Sequence, residues 1–385
     1  MENRLNKTIQ NLQISGIRQF NQMADKIEGC IKFTLGEPNF NSDYTVKKAC
    51  KKAIDKNKTH YSSNAGIEEL RKKIADDVYL RYGTKYEKEE IIVTVGASEA
   101  LSVVLRTILN PNDQVIVFEP AYPAYRPLIE MFNAKYIGID TCDDEFQIME
   151  KKLERCITEK TKAILLTSPN NPTGVAYHND SINAVLNCIK DRDIFVVCDN
   201  IYDEIIYEDI PNFVTKQRER NKIIMTQSFS KSYAMAGYRL GYICADKSIS
   251  RHLLKTHSYL VSGATTFVQY AGLAALNTNN SKMVEQYKKR RDYACERLNQ
   301  MGISITPPQG AFYLFINISQ FQMNSYDFAL HLLQKYKVCV VPGRYFGEHC
   351  DDYIRISYAC SDNDLKEGFD RIECFVNDFN NQIPR

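Results

Sequence analysis

Four short runs in this sequence pair a chemically able side chain with the end of an apolar stretch. The run Ile223–Gln227 gives way to Ser228-Phe229-Ser230-Lys231, and Arg239 follows eight residues after the lysine. A lysine desolvated at the mouth of a buried strand has its pKa pushed down, which frees a neutral amine to act as nucleophile and base. The run Ile194–Cys198 ends in Asp199-Asn200-Ile201-Tyr202, a carboxylate at a strand terminus with a phenol one helical turn beyond it. After Ala163–Thr167 come Ser168-Pro169-Asn170-Asn171-Pro172-Thr173-Gly174, where two prolines and a glycine fix a loop and aim an Asn side chain. After Ile91–Val95, the sequence Gly96-Ala97-Ser98-Glu99 opens a helix whose backbone N–H groups and Ser98 hydroxyl form a positive end suited to phosphate. Each fragment also has a plain structural alternative: a solvated surface lysine, a capping Asp199, a rigid turn, and a strand-to-helix turn capped by Ser98.

The elements that would position these fragments show as changes of period. Runs at Ile91–Val95, Gln114–Phe118, Lys135–Ile139, Ala163–Thr167, Ile194–Cys198, Ile223–Gln227 and Tyr238–Cys244 are apolar on both faces, as buried strands are. Helical segments such as Glu99–Leu109 and Asn179–Ile189 separate several of them. The alternation predicts an α/β fold: a three-layer αβα large domain over residues 44–280 with a mostly parallel seven-stranded sheet. Such sheets bind ligands beyond the carboxyl ends of their strands, where all four fragments would meet. After residue 280 the pattern changes to a charged helix, Lys282–Met301, closed by Gly302. Strands at Ala311–Ile316, Val338–Val341 and Tyr353–Tyr358, a helix at Tyr326–Tyr336 and a capping box at Ser361–Asp364 complete an α+β layer. The first forty residues, a helix and then extended Phe33–Leu35, do not fit the sheet domain. They are assigned with the C-terminal layer, so that 1–43 and 281–385 make one smaller, discontinuous domain.

Composition narrows the function. The 385 residues carry a net charge of +2, too little to hold a polyanion or a membrane surface by bulk attraction, so neither nucleic acid nor membrane is expected as a partner. No stretch reaches the ~18 apolar residues of a membrane helix, and no apolar core of a signal peptide opens the chain. Twelve cysteines occur with no CxxC and no Cys/His cluster of zinc-ligand spacing, which implies reduced thiols, a cytoplasmic setting and no metal. What remains is a phosphate seat, a carboxylate, an Asn and Tyr pair and a reactive Lys at one sheet edge. Pyridoxal 5′-phosphate requires that set: a Schiff-base amine, a partner for the pyridinium nitrogen and an anion seat.

These runs belong to a longer series: LGEPNF at Leu35–Phe40, HYSSNAG at His60–Gly66, VTVGASEAL at Val93–Leu101, EPAYPAY at Glu119–Tyr125, SPNNPTG, DNIYDE, SFSKSYAMAGYRLGY and YIRIS at Tyr353–Ser357. In order and spacing the chain resembles the class I/II aminotransferases, fold-type I pyridoxal-phosphate enzymes of the aspartate and aromatic kind, over nearly its whole length. The resemblance implies that Lys231 is the catalytic Schiff-base lysine, which also moves the proton between the substrate Cα and the cofactor. It implies Asp199 as partner of the pyridinium nitrogen, with Asn171 and Tyr202 on the ring's 3′ oxygen and Tyr122 stacked over the ring. Ala97, Ser98, Ser228 and Arg239 would hold the phosphate, and Tyr61 would reach the phosphate of the neighbouring subunit in a homodimer. Arg355 would bind the substrate α-carboxylate as a bidentate fork, with Gly36 and Asn171 beside it. Two departures from the family pattern are DN in place of DE at Asp199-Asn200, and Ala97 where Gly is common.

The activity so implied is amino transfer from an L-amino acid to a 2-oxo acid such as 2-oxoglutarate, in two half-reactions at one site. A carbon–sulfur β-lyase of the same fold is the enzymatic alternative, and a non-catalytic cofactor-sensing regulator the alternative of another class. The choice of donor rests on analogy alone, with aspartate, aromatic and acyl-diaminopimelate activities among bacterial members. Arg18 stands either at the site entrance or on a solvated helix.

Overall fold

The computed structural model describes residues 1–12, 16–216 and 219–382. Among the described residues there are twelve strands: β1 Ile31–Lys32, β2 Ile91–Thr94, β3 Gln114–Glu119, β4 Lys135–Asp140, β5 Thr161–Thr167, β6 Phe195–Asp199, β7 Ile223–Ser228, β8 Gly241–Cys244, β9 Tyr313–Asn317, β10 Val338–Cys339, β11 Val341–Pro342 and β12 Tyr353–Ser357. Seven of them form one sheet in the order β2-β8-β7-β6-β5-β3-β4, parallel except where β8 runs against β2 and β7.

Alternation along the central strands explains the three layers. Val115, Val117, Ala163 and Leu165 face one side and pack with Ala100, Val104 and Ile108 of the helix Ala97–Ile108. Ile116, Phe118, Ile164 and Leu166 face the other side and pack with Ile182, Val185 and Ile189 of the helix Asn179–Ile189. Both faces are dry, so period-2 contrast disappears from the sequence and the strands read as continuous apolar runs. Fully burying one such side chain is worth about 1.5–3 kcal/mol, which is why a crossover sheet of this kind holds its carboxyl edge steady.

The C-terminal part builds a second core. Antiparallel β11-β12-β9 packs with the helices Ser281–Gln300, Ser325–Tyr336 and Asp362–Gln382. Phe20, Ala24, Ile31 and Phe33 are buried in that same cluster, and β1 pairs in parallel with β10. The helix Ser281–Gln300 ends at Gly302, whose φ of 73° suits a glycine, and Ser361 Oγ accepts from Asp364 N–H at 3.0 Å to start the last helix.

Three expected elements differ. The Val338–Val341 run is two strands, because at buried Val340 the chain leaves the sheet of β1 and joins that of β12. The Tyr238–Cys244 run becomes a strand only at Gly241, since Ala236–Tyr238 is a 3-10 turn and Arg239 takes a left-handed φ of 54°. In the N-terminal segment Ile31–Lys32, not Phe33–Leu35, is the paired strand, although Phe33 continues the pattern by donating to Cys339 O.

Candidate active site

The carboxyl ends of β2, β5, β6 and β7 open onto one cavity of about 700 Å3. Its lining holds Lys231, Ala97, Ser98, Tyr122, Asn171, Asp199, Tyr202, Ser228, Arg239, Gly36 and Arg355. Among the residues singled out in the sequence only Tyr61 lies elsewhere, 93% exposed. Arg18, in the helix Gly16–Ala24, also lines the cavity and has no ion-pair partner among the described residues.

Lys231 sits in the single helical turn Phe229–Ser232, where β7 stops. Its Nζ donates to Gly36 O at 2.5 Å. Burial pushes the ammonium down to about 8, with Glu37 opposing the shift and Arg239 adding to it. Asp199, the last residue of β6, is buried; its Oδ2 accepts from the Tyr125 phenol at 2.8 Å. Its Oδ1 has no hydrogen-bond partner among the described residues. Burial raises this carboxyl to about 6, and the Tyr125 phenol, the Ile201 N–H and Lys231 oppose the rise. The segment after Asp199 is a turn, not a helix, and it still brings Tyr202 into the cavity, its phenol 2.8 Å from that of Tyr313.

At the end of β2 the helix Ala97–Ile108 begins on Gly96, with φ of 80° and no capping side chain. Its first N–H groups therefore face the cavity without a side-chain partner, and Ser98 is exposed rather than capping. A Cβ at Gly96 would lie 2.7 Å from Arg239 Nη2, so the glycine serves both the left-handed turn and the guanidinium beside it. Ser228 accepts from Ser230 N–H at 3.1 Å at the same edge. These groups make a concave, cationic, donor-rich corner.

Arg355 projects from β12 on the opposite wall and is 2% exposed. It donates from Nη1 to Asn171 Oδ1 at 2.9 Å and from Nη2 to Thr34 O at 2.7 Å, between the rings of Tyr313 at 4.6 Å and Phe346 at 5.1 Å. Its Nε has no partner, and no described carboxylate lies within ion-pair distance. Taking a guanidinium out of water costs several kcal/mol, and rings and neutral acceptors offset only part of that. A bound anion would complete its coordination.

This chain matches the family described as "Aminotransferase class I and II" over residues 28–372. The chain belongs to that family. A probable N-acetyl-LL-diaminopimelate aminotransferase of Bacillus subtilis is 40% identical over 380 residues, spanning 98% of this chain and 96% of that one. An aspartate aminotransferase of Pyrococcus horikoshii is 35% identical over 366 residues, 93% of this chain and 94% of that one. The crystal structure of an aspartate aminotransferase from Thermotoga maritima superposes with a TM-score of 0.93 at 33% identity, covering 97% and 100% of the two chains.

This aminotransferase, like its family, uses pyridoxal phosphate. The cavity fits that group on its own terms: the buried Asp199 Oδ1 lacks a donor, the helix that starts at Gly96 has no capping side chain, and Lys231 is desolvated. Four contributors went unnoticed in the sequence: Tyr125, Thr34, Tyr313 and Phe346. Tyr125 lies one helical turn past Tyr122 in EPAYPAY and was findable by that spacing. The other three reach the site from distant parts of the chain, with no local signal.

Proposed function

We propose that the chain is a cytoplasmic, homodimeric aminotransferase that passes the amino group of an L-amino acid to 2-oxoglutarate by a ping-pong mechanism. The observation that carries this reading is the meeting, in one cavity, of the desolvated Lys231 amine, the unpartnered Asp199 Oδ1 and the Arg355 guanidinium without a carboxylate. In this reading residues 44–280 are the cofactor-binding domain, and 1–43 with 281–385 supply the substrate wall.

When bound, pyridoxal phosphate supplies an aldehyde carbon that takes an amine and a pyridinium ring that accepts the electron pair left when Cα loses its proton. Lys231 would hold that aldehyde carbon through its amine, and the same amine would take the proton from the substrate Cα. Asp199 Oδ1 would accept from the ring nitrogen and keep it protonated, while Tyr125 orients the carboxylate through Oδ2. Asn171 and Tyr202 would hydrogen-bond the 3′ oxygen, and Tyr122 would cover the ring. The N–H groups of Ala97 and Ser98, with Ser228 and Arg239, seat the phosphate. Tyr61, exposed and outside its own cavity, reaches the phosphate in the partner's site. Arg355 binds the α-carboxylate, flanked by Asn171 and the backbone of Gly36.

Arg18 adds a second cation at this cavity, which favours donors bearing a second carboxylate. The names of the relatives, aspartate and N-acetyl-LL-diaminopimelate aminotransferases, support the same class. A panel of amino donors against 2-oxoglutarate tests the proposal. Glutamate should form, with kcat/KM for dicarboxylic donors exceeding that for alanine by about tenfold, near 1.4 kcal/mol. Release of pyruvate and ammonia without an acceptor would contradict it.

A further inference from the structure

All twelve cysteines are free thiols, and among the described residues one pair touches through sulfur: Cys142 Sγ lies 3.9 Å from Cys350 Sγ. The two are 208 residues apart in sequence and flank strands of two different sheets. Cys142 begins the short turn after β4, the edge strand of the large sheet, and is half-buried. Cys350 is buried in the segment between β11 and β12. Neither lies within a strand or an α-helix, so rotation of two side chains and a modest loop shift can supply the roughly 2 Å of approach that an S–S bond needs.

We propose that Cys142 and Cys350 are an oxidative modification site, closed to a disulfide by a hydroperoxide, that fastens the C-terminal segment to the edge of the large sheet. The thiolate of Cys142, the more accessible sulfur, attacks the peroxide oxygen; the O–O bond breaks, an alcohol or water leaves, and Cys142 becomes a sulfenic acid. Cys350 sulfur then attacks Cys142 sulfur, the S–O bond breaks, and the hydroxyl departs as water with the Cys350 proton. Two thiols lose two electrons to one peroxide. The hydrogen bond with Cys142 and burial both hold the Cys350 thiol above the ordinary range, which gives the first step to Cys142.

The bond would act on the site through an existing strap. The segment that carries Cys350 is already tied to the sheet side: Ala121 N–H donates to Phe346 O at 2.7 Å, Glu348 N–H to Glu119 Oε2 at 3.0 Å, and Arg126 pairs with Glu348 at 2.9 Å. Phe346, four residues before Cys350, packs over the Arg355 guanidinium. Drawing Cys350 toward β4 shifts that ring and hence Arg355, a consequence that rests on the proposed role of Arg355 in binding the α-carboxylate.

The test uses the holoenzyme, treated with stoichiometric hydrogen peroxide, capped with N-ethylmaleimide, digested and read by mass spectrometry. The expected product is a Cys142–Cys350 cross-linked peptide that dithiothreitol cleaves. With it, KM for the amino donor should rise by about tenfold or more, the scale of a misplaced binding group, and return on reduction. Cys142→Ser, at the half-buried position, should keep the untreated activity and lose both effects, and Cys350→Ala should do the same. Recovery of both cysteines as maleimide adducts, or of Cys142 as sulfinic acid without a cross-link, overturns the site. A cross-link that leaves KM unchanged overturns its coupling to Arg355. The peptide is read independently of activity, so a wrong donor or reaction would not disguise either result.

Discussion

Asp199, at the end of β6, and Asp203, four residues on in the turn that follows, are both buried, in surroundings that satisfy a carboxylate to different degrees. In the cavity floor Asp199 accepts from the Tyr125 phenol through Oδ2, and its Oδ1 has no hydrogen-bond partner among the described residues. In the polar cluster beside it Asp203 is enclosed, taking hydrogen bonds from Tyr82, Asn200 and Gln227 with Arg81 Nη1 3.6 Å away. Burial raises both pKa values, with Arg81 opposing the rise at Asp203. Burial and a perturbed pKa therefore do not separate the carboxylate proposed to hold the cofactor from the structural one. The unpartnered oxygen facing a cavity does, because a hydrogen-bond donor entering that cavity can remove its cost.

Three substitutions would break or sharpen that contrast. Asp199→Asn leaves the side chain's shape but removes the charge held at the cavity floor; kcat should fall by about 100- to 1,000-fold, the scale for losing a preorganised electrostatic partner, with Tm little changed. Arg355→Lys keeps the charge on the other wall and loses the fork. KM for amino acids should rise by about 10- to 100-fold while the protein's cofactor absorbance is retained. Asp203→Asn should behave in reverse to Asp199→Asn: kcat within about threefold, and stability in urea lowered by about 1–3 kcal/mol, because a satisfied buried acceptor has been weakened. If Asp203→Asn lost rate as steeply as Asp199→Asn, the division between the two regions would fail.

The same contrast governs what could be read from the sequence. Each group on the sheet edge stands within a few residues of a strand that is apolar on both faces, so Ala97, Asn171, Asp199, Ser228 and Lys231 could be singled out by position, although each fragment kept a structural alternative until the family resemblance gave it a role. The surroundings of Arg355 did not. Its contacts come from Thr34, Asn171, Tyr313 and Phe346, brought together from four separate stretches of chain. Short strands such as β1 and β10, two residues each, carry no period to detect. The late start of β8 was hidden for a different reason: Arg239 leaves the extended conformation so that its guanidinium meets Gly96, a long-range demand overriding local β propensity.

The central claim is that Lys231 is the amine that carries the cofactor. Sodium borohydride reduction of the holoenzyme, followed by digestion and mass mapping, tests it directly. The account predicts a pyridoxyl phosphate adduct on the peptide containing Lys231 and none in Lys231→Ala. An adduct on a different lysine, or cofactor released unattached from the reduced protein, would contradict it.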